Sequence, residues 1–492
     1  MAQEAAESLG IGGNWDRMYV DGEWRETSDR RRLSVENPAT REEIATVPEG
    51  RPEDVDEAFE AALAAQEGWA ARPPQARAEV VQAAMHVMDE HGDELSEVLI
   101  AEGGSTHVKA HTELDVLAPG MMAEAAGFPT RSQGTHSDSV IPGKENEVRR
   151  VPKGVVGVIT PWNVPFHLSM RAVAPAIALG NAVVLKPAPE TPIGGGLALA
   201  KVFEEAGLPP GVLNVVPGGA DPGDAVASHP DADVVSFTGS SEVGKLVARN
   251  AGENLSLPAL ELGGNNPHVV LEDADLDLAV DTAVFGSFFH QGQICISINR
   301  HLVHESLYDE YVDGLAERAA ALEVGDPAEG ADVGPIINEQ QRDQMVQFVE
   351  ESVDAGARVV AGGGHEDLFV EPTVLADVTN DMPTACNEHF GPIAPVIPFS
   401  DEEEALEIAN DTEYGLTGSV VSEDLGRAKA VARRIDAGMV HVNDQPINDE
   451  PHVPFGGVKA SGMGRYNGEA ILRELTEERW ISVQHEPREF PI

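Results

Sequence analysis

Gly154-Val155-Val156-Gly157-Val158-Ile159-Thr160-Pro161-Trp162-Asn163 opens as a run of β-branched residues and stops abruptly at a proline. An apolar run of this length, bounded by Gly and Pro, reads as a buried strand over 154–160 followed by a loop. Three similar runs follow, at 182–187, 212–216 and 233–239, and helical patterns lie between them at about 165–178, 191–206, 221–228 and 241–250. Strand–helix alternation with Val- and Ile-rich strands predicts an α/β fold with a parallel, doubly wound sheet. Ligands bind such sheets beyond the carboxyl ends of the strands. Here those ends carry Thr160, Trp162 and Asn163, then Lys186, then Gly239 and Ser240.

Each of these residues has a plain and a functional reading. Lys186 closes an apolar strand and is held by Pro187, so it is expected to meet a ligand; otherwise it is a surface lysine with a buried stem. The turn from Gly239 and Ser240 to Gly244 can offer backbone N–H groups to a pyrophosphate, or it is a serine-capped helix start. Glu261 ends another apolar strand and precedes Leu262, Gly263 and Gly264. It could act as a general base where glycines admit a ligand, or it could be a capping carboxylate.

Outward from this core, residues 18–24 predict a hairpin with an Asp21-Gly22 turn. Residues 52–103 show helical spacing broken at Pro73-Pro74, and carry no evident chemistry. Residues 128–150 read as a polar linker or excursion. Downstream, Phe288-Phe289-His290-Gln291-Gly292-Gln293-Ile294-Cys295 follows a helical segment and predicts a turn that presents Cys295. A thiol there is a candidate nucleophile; a buried one would be a small inert hydrophobe.

The chain has 492 residues, which predicts two or three domains. Its 84 acidic residues outnumber 33 basic ones, for a formal net charge of -51. Phosphate neutralisation needs clustered Lys and Arg, so nucleic acid is not an expected partner. The acids are interspersed with apolar periodic segments, so they belong to a folded surface. At about 1 M salt the Debye length falls to about 3 Å and their repulsion is screened, which suits a high-salt cytoplasm and a halophilic source. Two distant cysteines provide no disulfide framework and no zinc spacing, and no metal is expected. Residues 1–10 lack the apolar core of a signal peptide, and no apolar run is long enough to span a membrane. The expectation is a soluble cytoplasmic protein.

Seven stretches in order make the sequence resemble the aldehyde dehydrogenase superfamily. They are Thr160-Pro161-Trp162-Asn163, Lys186-Pro187-Ala188, Phe237-Thr238-Gly239-Ser240, Glu261-Leu262-Gly263-Gly264, Gly292-Gln293-Ile294-Cys295, Glu388-His389-Phe390-Gly391-Pro392, and the run from Pro454 to Gly462. Residues 168–175, 263–267, 290–295 and 443–454 resemble more particularly the benzaldehyde and vanillin dehydrogenase branch.

The resemblance implies a Rossmann-type cofactor domain over 1–126 and 149–260 and an α/β catalytic domain over 261–450. A small β oligomerisation part over 127–148, with a C-terminal arm over 451–492, and a homodimer or homotetramer are also implied. So is oxidation of an aromatic aldehyde to its acid with NAD or NADP, NAD being slightly favoured; aliphatic and semialdehyde substrates are the alternatives, and a non-catalytic relative a further one. Cys295 would be the nucleophile, Asn163 with the Cys295 N–H the oxyanion donors, and Glu261 the base for hydrolysis. A free thiol is only a few per cent thiolate at neutral pH, so Cys295 needs activation. Thr160, Trp162, Lys186, Gly239, Ser240, Gly244, Leu262, Gly263, Glu388 and Phe390 would bind the cofactor. Val164, Phe166, His167, Leu168 and Arg171 would line the substrate tunnel.

Four positions depart from the family pattern. Pro189 stands where NAD-using members often carry an acid, which leaves NADP open. Ala172 and Tyr466 replace a lysine and a glutamate of a proton relay, and Val164 replaces a common aromatic.

Overall fold

The computed structural model describes residues 15–131 and 134–491, so the reading of residues 1–10 lies outside the described residues. An eight-stranded sheet runs in the order Glu23–Arg25, Met18–Val20, Leu213–Val215, Ala182–Lys186, Val155–Ile159, Val234–Thr238, Leu257–Glu261 and Gly462–Met463. The five strands from 213–215 to 257–261 are parallel, and the outer ones are antiparallel. Val155–Ile159 and Ala182–Lys186 are buried along their whole length, as continuous apolar strands covered on both faces must be. Sequence order runs outward in both directions from Val155–Ile159. The crevice of such a sheet opens beyond the first strand and its neighbour Val234–Thr238, where Asn163 and Ser240 follow.

The helix Pro165–Leu179 follows the first strand. Proline at its first position suits a site with no hydrogen-bond partner for its N–H, and Gly180 closes it in the left-handed region at φ +95. Every one of its residues is buried, so its polar members His167 and Arg171 must find partners inside the protein.

The expected hairpin forms with Met18 opposite Arg25, and Asp21 and Gly22 both have positive φ, as a tight two-residue turn requires. The region 52–103 forms three helices, Pro52–Ala70, Pro74–Glu90 and Gly92–Gly103.

A second, seven-stranded sheet runs Arg358–Ala361, Thr373–Ala376, Ile393–Phe399, Ile298–His304, Asn266–Val270, Ser419–Val421 and His441–Val442. The helix Leu276–Phe288, capped by the Asp275 carboxylate on the Leu278 N–H, leads into it through the cysteine turn.

The stretch whose residues read as a polar linker or excursion forms two strands, Gly134–Asp138 and Lys144–Pro152, in keeping with the small β part that the resemblance implies. They form a three-stranded antiparallel sheet with Thr476–Gln484. These strands are half-exposed or exposed throughout, so their composition is polar and the apolar strand signal is missing. The expected boundary between residues 148 and 149 falls inside Lys144–Pro152. Gly462–Met463, assigned to the C-terminal arm, belongs to the eight-stranded sheet. Among the described residues no helix is long and apolar enough to cross a membrane.

Candidate active site at the junction of the two sheets

Cys295 is presented by a strained turn. His290, Gln291 and Gly292 have φ of 50, 56 and 67, and the first two pay a steric cost that glycine avoids. A Cβ on Gly292 would lie 2.2 Å from the Gly391 carbonyl oxygen, so no larger residue fits. The glutamines hold this backbone in place. Gln291 Nε2 donates to the Gly104 and Pro335 carbonyls at 2.8 and 3.2 Å, and Gln293 Oε1 accepts from the Ile337 N–H at 3.0 Å. Asn266 Nδ2 donates to the Cys295 and Ser297 carbonyls at 2.8 and 2.6 Å. Cys295 itself is half-buried. Burial, with the Glu388 carboxylate nearby, pushes its thiol up to about 12 against the opposing Arg171 charge, so the resting residue is a thiol.

Asn163 comes from the loop after Val155–Ile159. It is buried, and its Nδ2 donates to the Gln293 carbonyl at 2.8 Å. The amide nitrogen has a second N–H, available to an oxygen at Cys295. Glu261 ends the strand Leu257–Glu261 at 2 % exposure, and neither carboxylate oxygen has a hydrogen-bond partner among the described residues. Its Oε1 lies 2.5 Å from where a Cβ on Gly456 would stand, so the glycine-rich run from Pro454 to Gly462 makes room for it. Burial raises this carboxyl to about 8, with Arg171 and Arg465 opposing. A carboxyl poised near the working pH suits a general base.

Two cavities meet at Asn163, Leu168 and Cys295. The first, about 220 Å³, is lined also by Trp162, Gly239, Ser240, Glu261, Leu262, Gly263, Glu388 and Phe390. Seven of the ten expected cofactor residues are therefore on its wall. Trp162 and Phe390 meet edge to face with ring centroids 5.5 Å apart. Glu388 accepts from the Gly264 N–H at 2.9 Å, and a Cβ on Gly263 would stand 2.2 Å from its other oxygen. Burial pushes the Glu388 carboxyl up to about 7.

Thr160, Gly244 and Lys186 stand off this wall. The Thr160 hydroxyl bonds Ser169 Oγ at 2.8 Å and ties strand to helix. Gly244 lets the Leu262 side chain pack against its helix, where a Cβ would come within 2.3 Å. Lys186 is 6 % exposed rather than a surface lysine, and burial lowers its ammonium to about 8 against the opposing Glu190 charge. A nicotinamide dinucleotide fits these groups: glycine-lined walls admit its backbone, the Glu388 carboxylate can accept from ribose hydroxyls, and the Ser240-capped helix Ser241–Glu253 offers N–H groups.

The second cavity is a tunnel of about 100 Å³. Val164, His167, Leu168 and Arg171 form one wall; Phe285, Phe289, Ile294, Ile296, Ile447 and Phe455 supply apolar surface. Phe166 points instead into the core at 0 % exposure, which removes it from the expected tunnel residues. Lys109, Glu113 and Asp449 line the tunnel too, and sequence reading missed all three. Lys109 and Glu113 lie four residues apart on one helical face, a spacing visible in the sequence. Asp449 lies in a quoted motif but had no role there. Lys109 Nζ donates to Glu113 at 2.5 Å. Asp449 bonds His167 Nε2 at 2.9 Å, Arg171 at 3.2 Å and Asn467 Nδ2 at 2.5 Å. The Arg171 guanidinium lies 4.5 Å from the Phe455 ring centroid and 4.9 Å from that of Tyr466.

A doubly wound dinucleotide fold that sets a cysteine, an amide and an unpaired carboxyl at the mouth of a tunnel defines a class of cysteine-dependent oxidoreductases. The match of residues 24–481 to the model of the aldehyde dehydrogenase family makes this specific: the chain belongs to that family and is an aldehyde dehydrogenase. Benzaldehyde dehydrogenase YfmT of Bacillus subtilis (strain 168) is 46% identical over 478 residues, covering 97% of this chain and 98% of its own. A vanillin dehydrogenase of Amycolatopsis sp. is 47% identical over 481 residues, covering 97% and 98%. The crystal structure of betaine aldehyde dehydrogenase from Staphylococcus aureus in complex with NAD+ superposes with a TM-score of 0.96 at 34% identity, covering 100% of this chain and 99% of that one.

Proposed function

We propose that the protein oxidises an aromatic aldehyde to the carboxylic acid, using NAD or NADP, with Cys295 as nucleophile. The observation that carries this reading is the meeting of the two cavities at Cys295, with Asn163 on both and Glu261 on the polar one. The apolar tunnel surface and the two relatives named for benzaldehyde and vanillin support an aromatic substrate. Trp162, Gly239, Ser240, Leu262, Gly263, Glu388 and Phe390 would hold the dinucleotide, with Lys186 supplying positive charge from the end of its strand. When bound, the dinucleotide supplies the acceptor for the aldehyde hydride.

The protein's own residues do the rest. Sγ of Cys295 bonds the carbonyl carbon while its proton passes to water, and the free N–H of Asn163 with the Cys295 N–H holds the developing oxyanion. After oxidation the carbon is a thioester on Cys295. Glu261 takes a proton from water as the water oxygen bonds the acyl carbon; the C–S bond then breaks and the acid leaves. Glu261 and water carry more of this proton traffic than in relatives with a complete relay, since Ala172 has no ionisable group. The chain acts as a homodimer or homotetramer, with the three-stranded sheet as the assembling part, in a high-salt cytoplasm.

The test is formation of reduced cofactor in molar KCl with benzaldehyde, an aliphatic aldehyde and a dicarboxylate semialdehyde, each with NAD and NADP. The highest kcat/KM is expected for benzaldehyde. Turnover of the aliphatic or semialdehyde substrates alone would overturn the aromatic reading and leave the family chemistry intact.

A further inference from the structure

The tunnel carries more polar equipment than an unsubstituted ring can use. Asp449 is the fixed point. Burial alone would push its carboxyl up, but the His167 and Asn467 hydrogen bonds and the Arg171 charge hold it well below the usual range. It is therefore an acceptor only, so His167 Nε2 must donate to it. With Nε2 held by Asp449, Nδ1 is the ring nitrogen left to meet a ligand. His167 is 2 % exposed and lines the tunnel, and Nδ1 has no partner among the described residues.

Lys109 is the complement. It is 2 % exposed, lines the same tunnel, and spends one ammonium N–H on Glu113. Both Glu113 oxygens are used, one by Lys109 and the other by the His167 backbone N–H at 2.8 Å. That second contact fixes His167 to the Lys109–Glu113 pair. Burying an ion pair is expensive, and a buried imidazole nitrogen left unmet adds to that cost. A ligand group that both accepts from an ammonium and donates to an imidazole would satisfy the two at once. A hydroxyl does this; a methyl group does neither, and a carboxylate can only accept.

We infer that Lys109 and His167 are the specificity-determining residues for a ring hydroxyl on the aromatic substrate. This rests on the aromatic reading above. Hydrogen bonds to charged groups favour the hydroxyl over an isosteric methyl group by about 10- to 100-fold.

The experiment compares kcat/KM of the full-length enzyme for 3- and 4-hydroxybenzaldehyde, 3- and 4-methylbenzaldehyde, 4-carboxybenzaldehyde and benzaldehyde. The expected result is a hydroxyl-over-methyl preference of about 10-fold or more at one ring position. Equal rates for the hydroxyl and methyl pairs, or a preference for the carboxylate, would overturn the inference while leaving the aromatic reading standing. Turnover of aliphatic aldehydes alone would overturn both.

Two variants locate the effect. His167→Phe removes the acceptor. The double variant Lys109→Met/Glu113→Gln removes the ammonium without stranding a buried carboxylate, and the new amide oxygen can still accept from the His167 N–H. Each is expected to bring the hydroxyl-to-methyl ratio to within about threefold of one. A merely structural role would lower both substrates together and keep the ratio, which would overturn the assignment. If neither variant folds, the wild-type ratio decides.

Discussion

The two cavities that meet at Cys295 treat charge in opposite ways. On the cofactor side Glu261 has no hydrogen-bond partner, and Glu388 has a single backbone donor. Both carboxyls are raised by burial. On the tunnel side the acidic and basic residues are paired with one another: Lys109 with Glu113, and Asp449 with His167 and Arg171. Buried charge is costly unless it is compensated. The tunnel leaves a ring nitrogen, His167 Nδ1, open to a ligand and meets the cost of its charges with the protein's own groups. The cofactor side leaves it unmet, so its carboxyls stay near neutrality and can exchange a proton or meet a ribose. On the proposed reading one region serves recognition and the other proton transfer, and Cys295 lines both.

The strongest way to break this comparison is to remove the shared residue. Cys295→Ala is expected to cut aldehyde turnover by at least about 10⁴-fold, since residues acting as one catalytic unit fail together. NAD binding, followed by fluorescence titration, should stay within about threefold of wild type, because the cofactor cavity keeps its other walls. Measurable turnover in that variant would mean that the nucleophile lies elsewhere.

The next largest effect tests the charge difference directly. Glu261→Gln is expected to lower kcat by about 10²–10⁴-fold. Because acylation precedes the water step, the first turnover should persist as a rapid burst of reduced cofactor. The pH dependence has a definite sign. Below about 8 the Glu261 carboxyl is neutral and cannot take a proton; above it the carboxylate can. Wild-type kcat should therefore rise through that region, and Glu261→Gln should lose the rise. A rise that survives in the variant would assign the titration to another group.

The cofactor side was legible because it is built from strand ends and glycines close in sequence to strong strand signals. Thr160 to Asn163, Gly239-Ser240 and Glu261-Leu262-Gly263 each directly follow or end a buried Val- or Leu-rich run, so the α/β pattern alone put them at one edge of one sheet. The tunnel was legible only on the wall supplied by the helix after Asn163. Lys109, Glu113 and Asp449 are brought in from segments that show no chemistry of their own, and only tertiary packing makes them neighbours. Phe166 errs in the other direction. It sits beside His167 in sequence, but helical geometry turns it about 100° away and into the core. The small sheet was implied by the family resemblance but not legible in its own residues, because half-exposed strands lose the apolar signal, while the pairing of Lys144–Pro152 with Thr476–Gln484 spans most of the chain.

Tyr466 offers the smallest effect and the finest test of the boundary between the cavities. The family resemblance implies a relay glutamate at this position, yet Tyr466 is 2 % exposed, its hydroxyl is hydrogen-bonded to Ser236 Oγ, and its ring packs against the Arg171 guanidinium. Burial pushes its phenol up to about 12, so it holds its proton throughout the working pH range. These contacts make it part of the frame around Arg171, with no share in the proton traffic of Glu261. Tyr466→Phe keeps the ring and removes one buried hydrogen bond, worth about 1 kcal/mol, which lowers the unfolding midpoint by about 1–3 °C in a chain of this size. The change in kcat should be less than about threefold, and the rise through about 8 should remain, since Glu261 is untouched. A tenfold loss of kcat with that rise flattened would instead put the Tyr466 hydroxyl on the proton route, and the line between recognition and proton transfer would have to be redrawn through Arg171.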